Sequence, residues 1–104
     1  MSFGRRTNAA WAIHPGEILQ EEFLRPLGMS GYALSKAIVV KPQSVNDIVL
    51  QKRGISADMA VRLARFFGTS PEFWMNLQSA YELAKVRTTL GRKIEKIQPH
   101  SSAA

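Results

Sequence analysis

Apolar residues recur along the chain at intervals of three and four positions, and Gly, Pro and Ser fall between these periodic runs. This spacing predicts amphipathic helices, whereas no stretch alternates as a half-buried strand would. Five helices are predicted, so we expect an all-α fold. We divide the chain into an N-terminal arm over residues 1–13, a helical domain over residues 14–86 and a basic C-terminal tail over residues 87–104.

The first predicted helix lies in "HPGEILQEEFLRPLG". Leu19, Phe23 and Leu27 follow one another at four-residue spacing and are expected on its buried face. Pro26 and Gly28 are expected to stop it, because proline lacks an amide hydrogen and glycine favours helix ends.

A second, short helix is predicted after a capping Ser30 and ends near Val39. The third begins at Pro42, which suits a first turn, and is expected to stop at Gly54. Five positions fall where these two helices must touch each other and the core, and all five are apolar: Leu34, Ile38, Val40, Val45 and Ile48.

The last two predicted helices each follow a serine that can cap them. Ser56 precedes "ADMAVRLARFFG", which Gly68 closes, and Ser70 precedes the longest helix, "EFWMNLQSAYELAKVR". The inward stripe of this fifth helix is expected at Trp74, Leu77, Tyr81 and Ala84.

Only the residues from Val39 to Lys41 separate the second helix from the third, and such a tight connection is typical of a helix-turn-helix. The second helix of that motif inserts its N-terminal end into the DNA major groove. The amides of Gln43 and Asn46 match the N6 and N7 edge of adenine, and Ser44 can donate or accept a hydrogen bond. This end of the third helix therefore has base-reading chemistry.

Charged residues surround these polar groups. Lys41 can reach guanine or a phosphate, while Asp47 would either accept a hydrogen bond from cytosine N4 or penalise wrong sites. The long cations at the edges of the motif suit phosphate oxygens. The predicted DNA contacts are Lys36, Lys41, Gln43, Ser44, Asn46, Asp47, Lys52 and Arg53.

The charge balance agrees with a polyanionic partner. Fourteen Lys and Arg residues oppose eight Asp and Glu, which gives a formal net charge of +6. The chain has no cysteine, so it can form neither a disulfide nor a thiolate metal site. No apolar run approaches the roughly 18 residues of a membrane span, and we expect a soluble, cytoplasmic protein without a membrane partner.

No catalytic, cofactor, metal or small-molecule substrate site is expected. His14 stands beside a first-turn proline and is expected to help start the first helix, while His100 lies in the tail. Glu17, Glu21 and Glu22 fit a solvated face near the positive helix N-terminus. The chain is therefore not expected to be an enzyme.

At "HPGEIL", the helix-turn-helix over residues 30–50 and "GISADMAVRLARFFGTSPEFWMNLQSAYELA", the chain resembles the HigA-type antitoxins. This family is also called the virulence-associated protein I group and lies within the lambda-repressor-like, or XRE, helix-turn-helix class. The resemblance implies a five-helix lambda-repressor-like domain. It also implies repression of the protein's own operon by a homodimer on double-stranded operator DNA, and neutralisation of a HigB-like toxin that cleaves mRNA.

Two positions depart from the family pattern. Val39 stands where glycine is usual, and a left-handed backbone would be strained at a β-branched residue, so a reshaped turn is expected. Lys41 stands where a capping Ser or Thr is usual, and its ammonium group cannot accept a hydrogen bond from the free amides.

Aromatic residues of the fifth helix are expected to serve either the core or a second copy of the chain. We predict dimerisation through Phe73, Trp74, Leu77 and Tyr81. Phe3 and Trp11 pose a similar choice between packing on the first helix and contacting a toxin. Two other functions stay open from the sequence: a free-standing XRE-type regulator without a toxin, and a toxin-binding module with little DNA binding.

Overall fold

A computed structural model describes residues 13–100, and every regular element in this part of the chain is helical. The first helix, α1, covers residues 15–27. It is followed by α2 (Gly31–Ala37), α3 (Pro42–Val49), α4 (Ala57–Phe67), α5 (Pro71–Leu90) and a 3₁₀ helix (Gly91–Lys96). The predicted all-α, five-helix fold is confirmed. Phe3 and Trp11 lie outside the described residues.

Buried side chains from all five helices and the loop before α4 form one core, with α2 and α3 packed against each other and α4 against α5. Four of the five apolar positions predicted for the helix-turn-helix are buried, and Val40 is half-buried against them. An aromatic cluster closes the other side of the core. Phe23 lies 4.8 Å from Phe67 and 4.9 Å from Trp74, measured between ring centroids.

Four helices begin with a side-chain cap. His14 Nδ1 accepts a hydrogen bond from the Gly16 amide at 2.9 Å, so its predicted role at the start of α1 is confirmed. The three predicted serine caps are confirmed as well, since each hydroxyl oxygen accepts from the amide three residues later. These serines are Ser30, Ser56 and Ser70.

The predicted face of α1 and one of its two predicted stops need correction. Its middle part, Leu19–Leu24, is π-helical, which brings a residue five positions later over the same face. Leu24 is therefore buried above Leu19, while Leu27 is 61% exposed. Pro26 does not stop the helix, whereas the predicted stop at Gly28, which is left-handed with φ 62°, is confirmed.

The predicted end of α3 is also wrong. The helix stops at Val49, and the residue that turns the chain away is Gln51, with φ 63°. Gly54 instead allows the loop to pack closely against α5, because a Cβ there would lie 2.5 Å from Gln78 Oε1. That oxygen accepts a hydrogen bond from the Ile55 amide at 2.7 Å, which fixes the loop after α3 to α5.

A glycine lets α1 approach α3 closely. A Cβ on Gly16 would lie 1.8 Å from the carbonyl oxygen of Ile48, so no other residue fits there without moving one of the helices. At the other end of the domain, α5 continues to Leu90, so the first residues of the predicted tail are helical. No helix in the described part of the chain is both long and apolar enough to cross a membrane.

Candidate nucleic-acid interface

The turn between α2 and α3 is a Schellman motif with Val39 at its left-handed position. The Val40 amide donates to the Ser35 carbonyl at 3.0 Å, and the Val39 amide donates to the Lys36 carbonyl at 3.3 Å. Val39 has φ 61°, a conformation that costs about 1–2 kcal/mol for an L-residue. The expected reshaping of the turn is therefore wrong, because valine adopts the glycine geometry with strain.

The N-terminus of α3 carries no side-chain cap. Lys41 occupies the cap position with extended backbone, and its side chain makes no capping hydrogen bond, as its chemistry predicts. It is exposed. Pro42 has no amide hydrogen, and the Ser44 amide already donates to the Lys41 carbonyl at 2.9 Å. The exposed Lys41 side chain is therefore the main group that this end of α3 offers a ligand, at the end of the helix that such motifs insert into DNA.

An open groove of about 440 Å³ runs along the outer face of α3. Gln43 and Asn46 line it and are exposed, so both predicted base-reading amides are available to one ligand. Asp47 and Lys52 line the same groove. Ser44 is half-buried and lines neither this groove nor the next, so its predicted base contact has less geometric support.

A second groove, of about 550 Å³, brings together Lys36 and Lys41. Tyr32 separates the two grooves and lines both, with 60% of its surface exposed. The Lys36 ammonium lies 5.4 Å from the centroid of the Tyr32 ring, within cation–π range. Sequence reasoning missed Tyr32, although an aromatic residue on the polar face of a short helix is a usable signal.

Asp47 and Arg53 form an ion pair across the end of α3. Arg53 Nη2 lies 3.8 Å from Asp47 Oδ2, and the Asp47 side chain is only 18% exposed. Arg53 partly neutralises the carboxylate that would otherwise repel phosphates. The arrangement favours a structural use of Asp47 over the predicted base contact, while Lys52 and Arg53 remain exposed beside the groove.

Another residue that the sequence did not reveal, Arg62 of α4, touches the helix-turn-helix from behind. Its Nη1 donates to the carbonyl oxygens of Ile38 at 2.8 Å and Val39 at 3.1 Å. No motif spacing links position 62 to position 39, so only the folded chain brings them together.

The four residues predicted for dimerisation differ in what they expose. Trp74 is fully buried and its Nε1 donates to Thr69 Oγ1 at 2.8 Å, so it belongs to the core and offers no surface to a second copy. Phe73 is 37% exposed, whereas Leu77 and Tyr81 are half-buried. Dimerisation through this helix stays a prediction.

Burial affects the one histidine near this region. His14 is 4% exposed and its ring meets Tyr81 edge-on, with 4.7 Å between centroids. Burial lowers the pKa of His14, and the nearby Lys85 charge lowers it further. Among residues 13–100 there is no group of three or more His, Cys, Asp or Glu residues placed to hold a metal ion.

A family model described as helix-turn-helix matches residues 20–74. Virulence-associated protein I of Dichelobacter nodosus is 52% identical over 80% of this chain and 77% of its own length. Antitoxin HigA-1 of Vibrio cholerae is 33% identical over 84% of this chain and 82% of its own.

A solved structure shows the same fold. The Pseudomonas aeruginosa antitoxin HigA, determined with the higBA promoter, superposes with a TM-score of 0.83 and is 54% identical. The match covers 86% of this chain and 98% of that one. With the motif geometry described above, these likenesses show that the chain belongs to the helix-turn-helix family and, within it, to the HigA and virulence-associated protein I group.

Proposed function

We propose that this protein binds operator DNA through α3 and represses its own operon as an antitoxin. The observation that best supports this proposal is that Gln43 and Asn46 are both exposed in one groove at the N-terminal end of α3. In this arrangement the two amides read bases. Lys36, Lys41 and Lys52 hold phosphates on either side and set the register without reading sequence.

Fluorescence anisotropy with the DNA upstream of the gene tests this proposal. Gln43→Ala or Asn46→Ala should weaken binding to the cognate site by about 1–3 kcal/mol, while binding to random DNA changes little. Asn76→Ala, an exposed amide on α5, is the matched control. If neither α3 variant differs from Asn76→Ala, then α3 is not the reading helix.

The flanking cations should show a different signature. Lys36→Ala should weaken binding to cognate and random DNA alike and reduce the slope of log K against log salt by about 1. Loss of cognate binding alone, with an unchanged slope, would mean that Lys36 acts on a base rather than on a phosphate.

We propose further that the protein neutralises a HigB-like mRNA-cleaving toxin. Support comes from the names of its relatives and from the acidic face of α1, since a toxin that binds RNA is expected to be basic. Glu21 already shares a bidentate ion pair with Arg25, at 2.9 and 3.0 Å, which reduces the charge that it offers. Glu22 lies next to Glu21 in the chain and is half-buried. These two glutamates form the acidic surface of α1 that we propose meets the toxin.

A toxin would be sought as the product of the neighbouring reading frame. Glu21→Lys combined with Glu22→Lys should slow toxin association without changing operator binding. An unchanged on-rate would exclude this face of α1 as the toxin surface. If no neighbouring protein binds, a free-standing cytoplasmic repressor without a toxin is the better assignment. Neither the antitoxin nor the free-standing repressor requires a catalytic step.

We propose that the repressor is a homodimer joined through α5. Besides Phe73, two apolar residues farther along α5, Leu83 and Val86, are each 49% exposed. Two-fold symmetry would place the recognition helices about 34 Å apart on neighbouring half-sites. Sedimentation at micromolar concentration should show a dimer that Leu83→Ser with Val86→Ser weakens, whereas a wild-type monomer would contradict this arrangement.

A further inference from the structure

The turn that positions α3 adopts a conformation that its own residue disfavours. Val39 is left-handed, and 78% of its surface is exposed, so its side chain gains little packing in return. A strained residue of this kind persists only where the surrounding structure holds it. The contacts around the turn should therefore include the group that holds it.

Arg62 contacts the turn directly. Its guanidinium donates from Nη1 to the carbonyl oxygens of Ile38 and Val39, at 2.8 and 3.1 Å, which are the first carbonyls past the end of α2. The Ile38 carbonyl, at the C-cap of α2, lacks a partner within that helix and lies at its negative dipole end, so a cation satisfies it well. The Nε of the same guanidinium donates to Asp58 Oδ1 at 2.6 Å, which fixes its orientation from within α4.

We propose that Arg62 is a positioning residue for DNA binding, acting as a clamp from α4 that keeps Val39 left-handed. The residues after Val39 lead directly into Lys41 and the N-terminus of α3. A change in the Val39 backbone would thus rotate the reading end of α3 relative to α2. The effect on DNA rests on the proposed operator binding, whereas the clamp itself is a property of the folded chain.

A simpler use of Arg62 would be its surface ion pair with Asp58 alone. Pairs of that kind, four residues apart on an exposed helix face, contribute little to stability. The two uses differ in one measurable respect. If Arg62 clamps a strained turn, its removal should cost less once the strain at residue 39 is removed. If Arg62 only pairs with Asp58 within α4, the cost of its removal should not depend on residue 39.

A double-mutant cycle with Arg62→Met and Val39→Gly measures this difference. Methionine keeps most of the length of the side chain and removes the donors, and glycine adopts the left-handed turn without strain. We expect Arg62→Met to weaken cognate operator binding about tenfold with valine at position 39, a loss typical of a removed charged hydrogen bond. With glycine at position 39, the same change should cost about threefold or less.

Two further variants and a second readout complete the test. Arg65→Met removes an exposed cation from the same helix and should show no coupling to position 39. Asp58→Asn weakens the ion pair that orients the guanidinium but leaves both carbonyl contacts available, so its coupling to position 39 should be smaller than that of Arg62→Met. Urea unfolding of the four cycle proteins needs no DNA and should show the same coupling. Hydrogen exchange of the Val40 amide should be faster in Arg62→Met than in the wild type.

Equal effects of Arg62→Met in both backgrounds, by binding and by unfolding, would overturn the clamp. If the wild type fails to bind its operator, the proposed function falls, while the unfolding cycle still decides the role of Arg62. If the single variant Arg62→Met does not fold but the double variant with Val39→Gly does, the clamp is supported. If it folds in neither background, Arg62→Lys replaces it in the same cycle.

Discussion

The residues that flank α3 differ from those at most other helix ends. The four helices around α3 begin with side-chain caps, and α1 and α4 end at the left-handed glycines Gly28 and Gly68. By contrast, α3 begins at an uncapped Lys41, follows a left-handed Val39 and is succeeded by a left-handed Gln51. Within residues 13–100, both non-glycine residues with positive φ and the one uncapped start among α1–α5 thus lie around one helix.

The three unusual residues that flank α3 share one property, because each exposes a side chain in a groove. Val39 and Lys41 expose their side chains in the groove beside Tyr32, and Gln51 lines a groove with Lys52 and Arg53. A residue with better local stability, glycine or serine, would remove or shorten the exposed side chain at each of these positions, and at Lys41 it would remove a proposed DNA contact. These helix ends therefore expose a side chain where a locally more stable residue would not, and the buried Val45 and Ile48 hold α3 in the core.

The largest expected effect comes from breaking a tertiary contact of α3. Gly16→Ala should destabilise the fold by about 2–3 kcal/mol, because its Cβ would collide with the Ile48 carbonyl, a backbone atom that cannot move aside alone. Urea unfolding measures the loss. Gly31→Ala is the control, since its Cβ would only touch a Val45 methyl at 3.4 Å, and equal losses for both would contradict the close approach of α1 to α3.

The second prediction transfers the strained residue of α2 to the end of α1. Gly28→Val should cost about 1–2 kcal/mol in unfolding free energy, because φ is 62° there while a Cβ would meet no atom within 4 Å. The loss is thus one of backbone conformation alone. Gly28→Asn should cost less, since asparagine tolerates this region, and an equal loss for both would contradict the explanation.

The third prediction gives α3 the cap that it lacks. Lys41→Ser should raise the free energy of unfolding by about 1 kcal/mol, while operator affinity and its salt slope both fall because a phosphate contact is lost. Ser56→Lys is the reverse exchange at the start of α4, where the hydroxyl accepts from the Met59 amide at 3.1 Å. It should destabilise the fold by a similar amount, and a stable Ser56→Lys protein would remove the basis of the comparison.

The smallest expected effect is a pH dependence at the start of α1. The pKa of buried His14 lies below its ordinary value of 6.5, so between the two values the unfolded chain binds more protons than the folded one. Stability should therefore fall as the pH drops below about 6.5. His14→Asn keeps a cap without titrating, and unfolding curves of this variant should lose that dependence.

Sequence reasoning predicted the helices and caps well because their signals are local. Ser30, Ser56 and Ser70 each mark a helix start within a few residues, and the apolar positions of α2 and α3 mark their contact. It failed at Leu27 and Gly54. The π-helical turn shifts the buried face of α1, and the packing of Gly54 on Gln78 depends on residues far apart in sequence.

The candidate site divides in the same way. Gln43, Asn46 and the surrounding lysines follow from the position of α3 within the motif. Arg62 and the pairing of Asp47 with Arg53 do not, because they depend on where α4 and the loop after α3 return in space. Val39 combines both situations. The sequence identified its position in the turn, but whether the turn is strained or reshaped depends on tertiary contacts that the sequence does not reveal.

The π-helical turn of α1 also bears on how this chain can change in length. A π turn contains one residue more than the α-helical turn that it replaces. We therefore expect α1 to absorb deletion of a single residue near Glu21 by becoming regular, with Leu24 still above Leu19. The same deletion in α4 would rotate everything after it by about 100° and turn Leu63 out of the core. Length variation among relatives should accordingly be better tolerated in α1 than in any other helix of the domain.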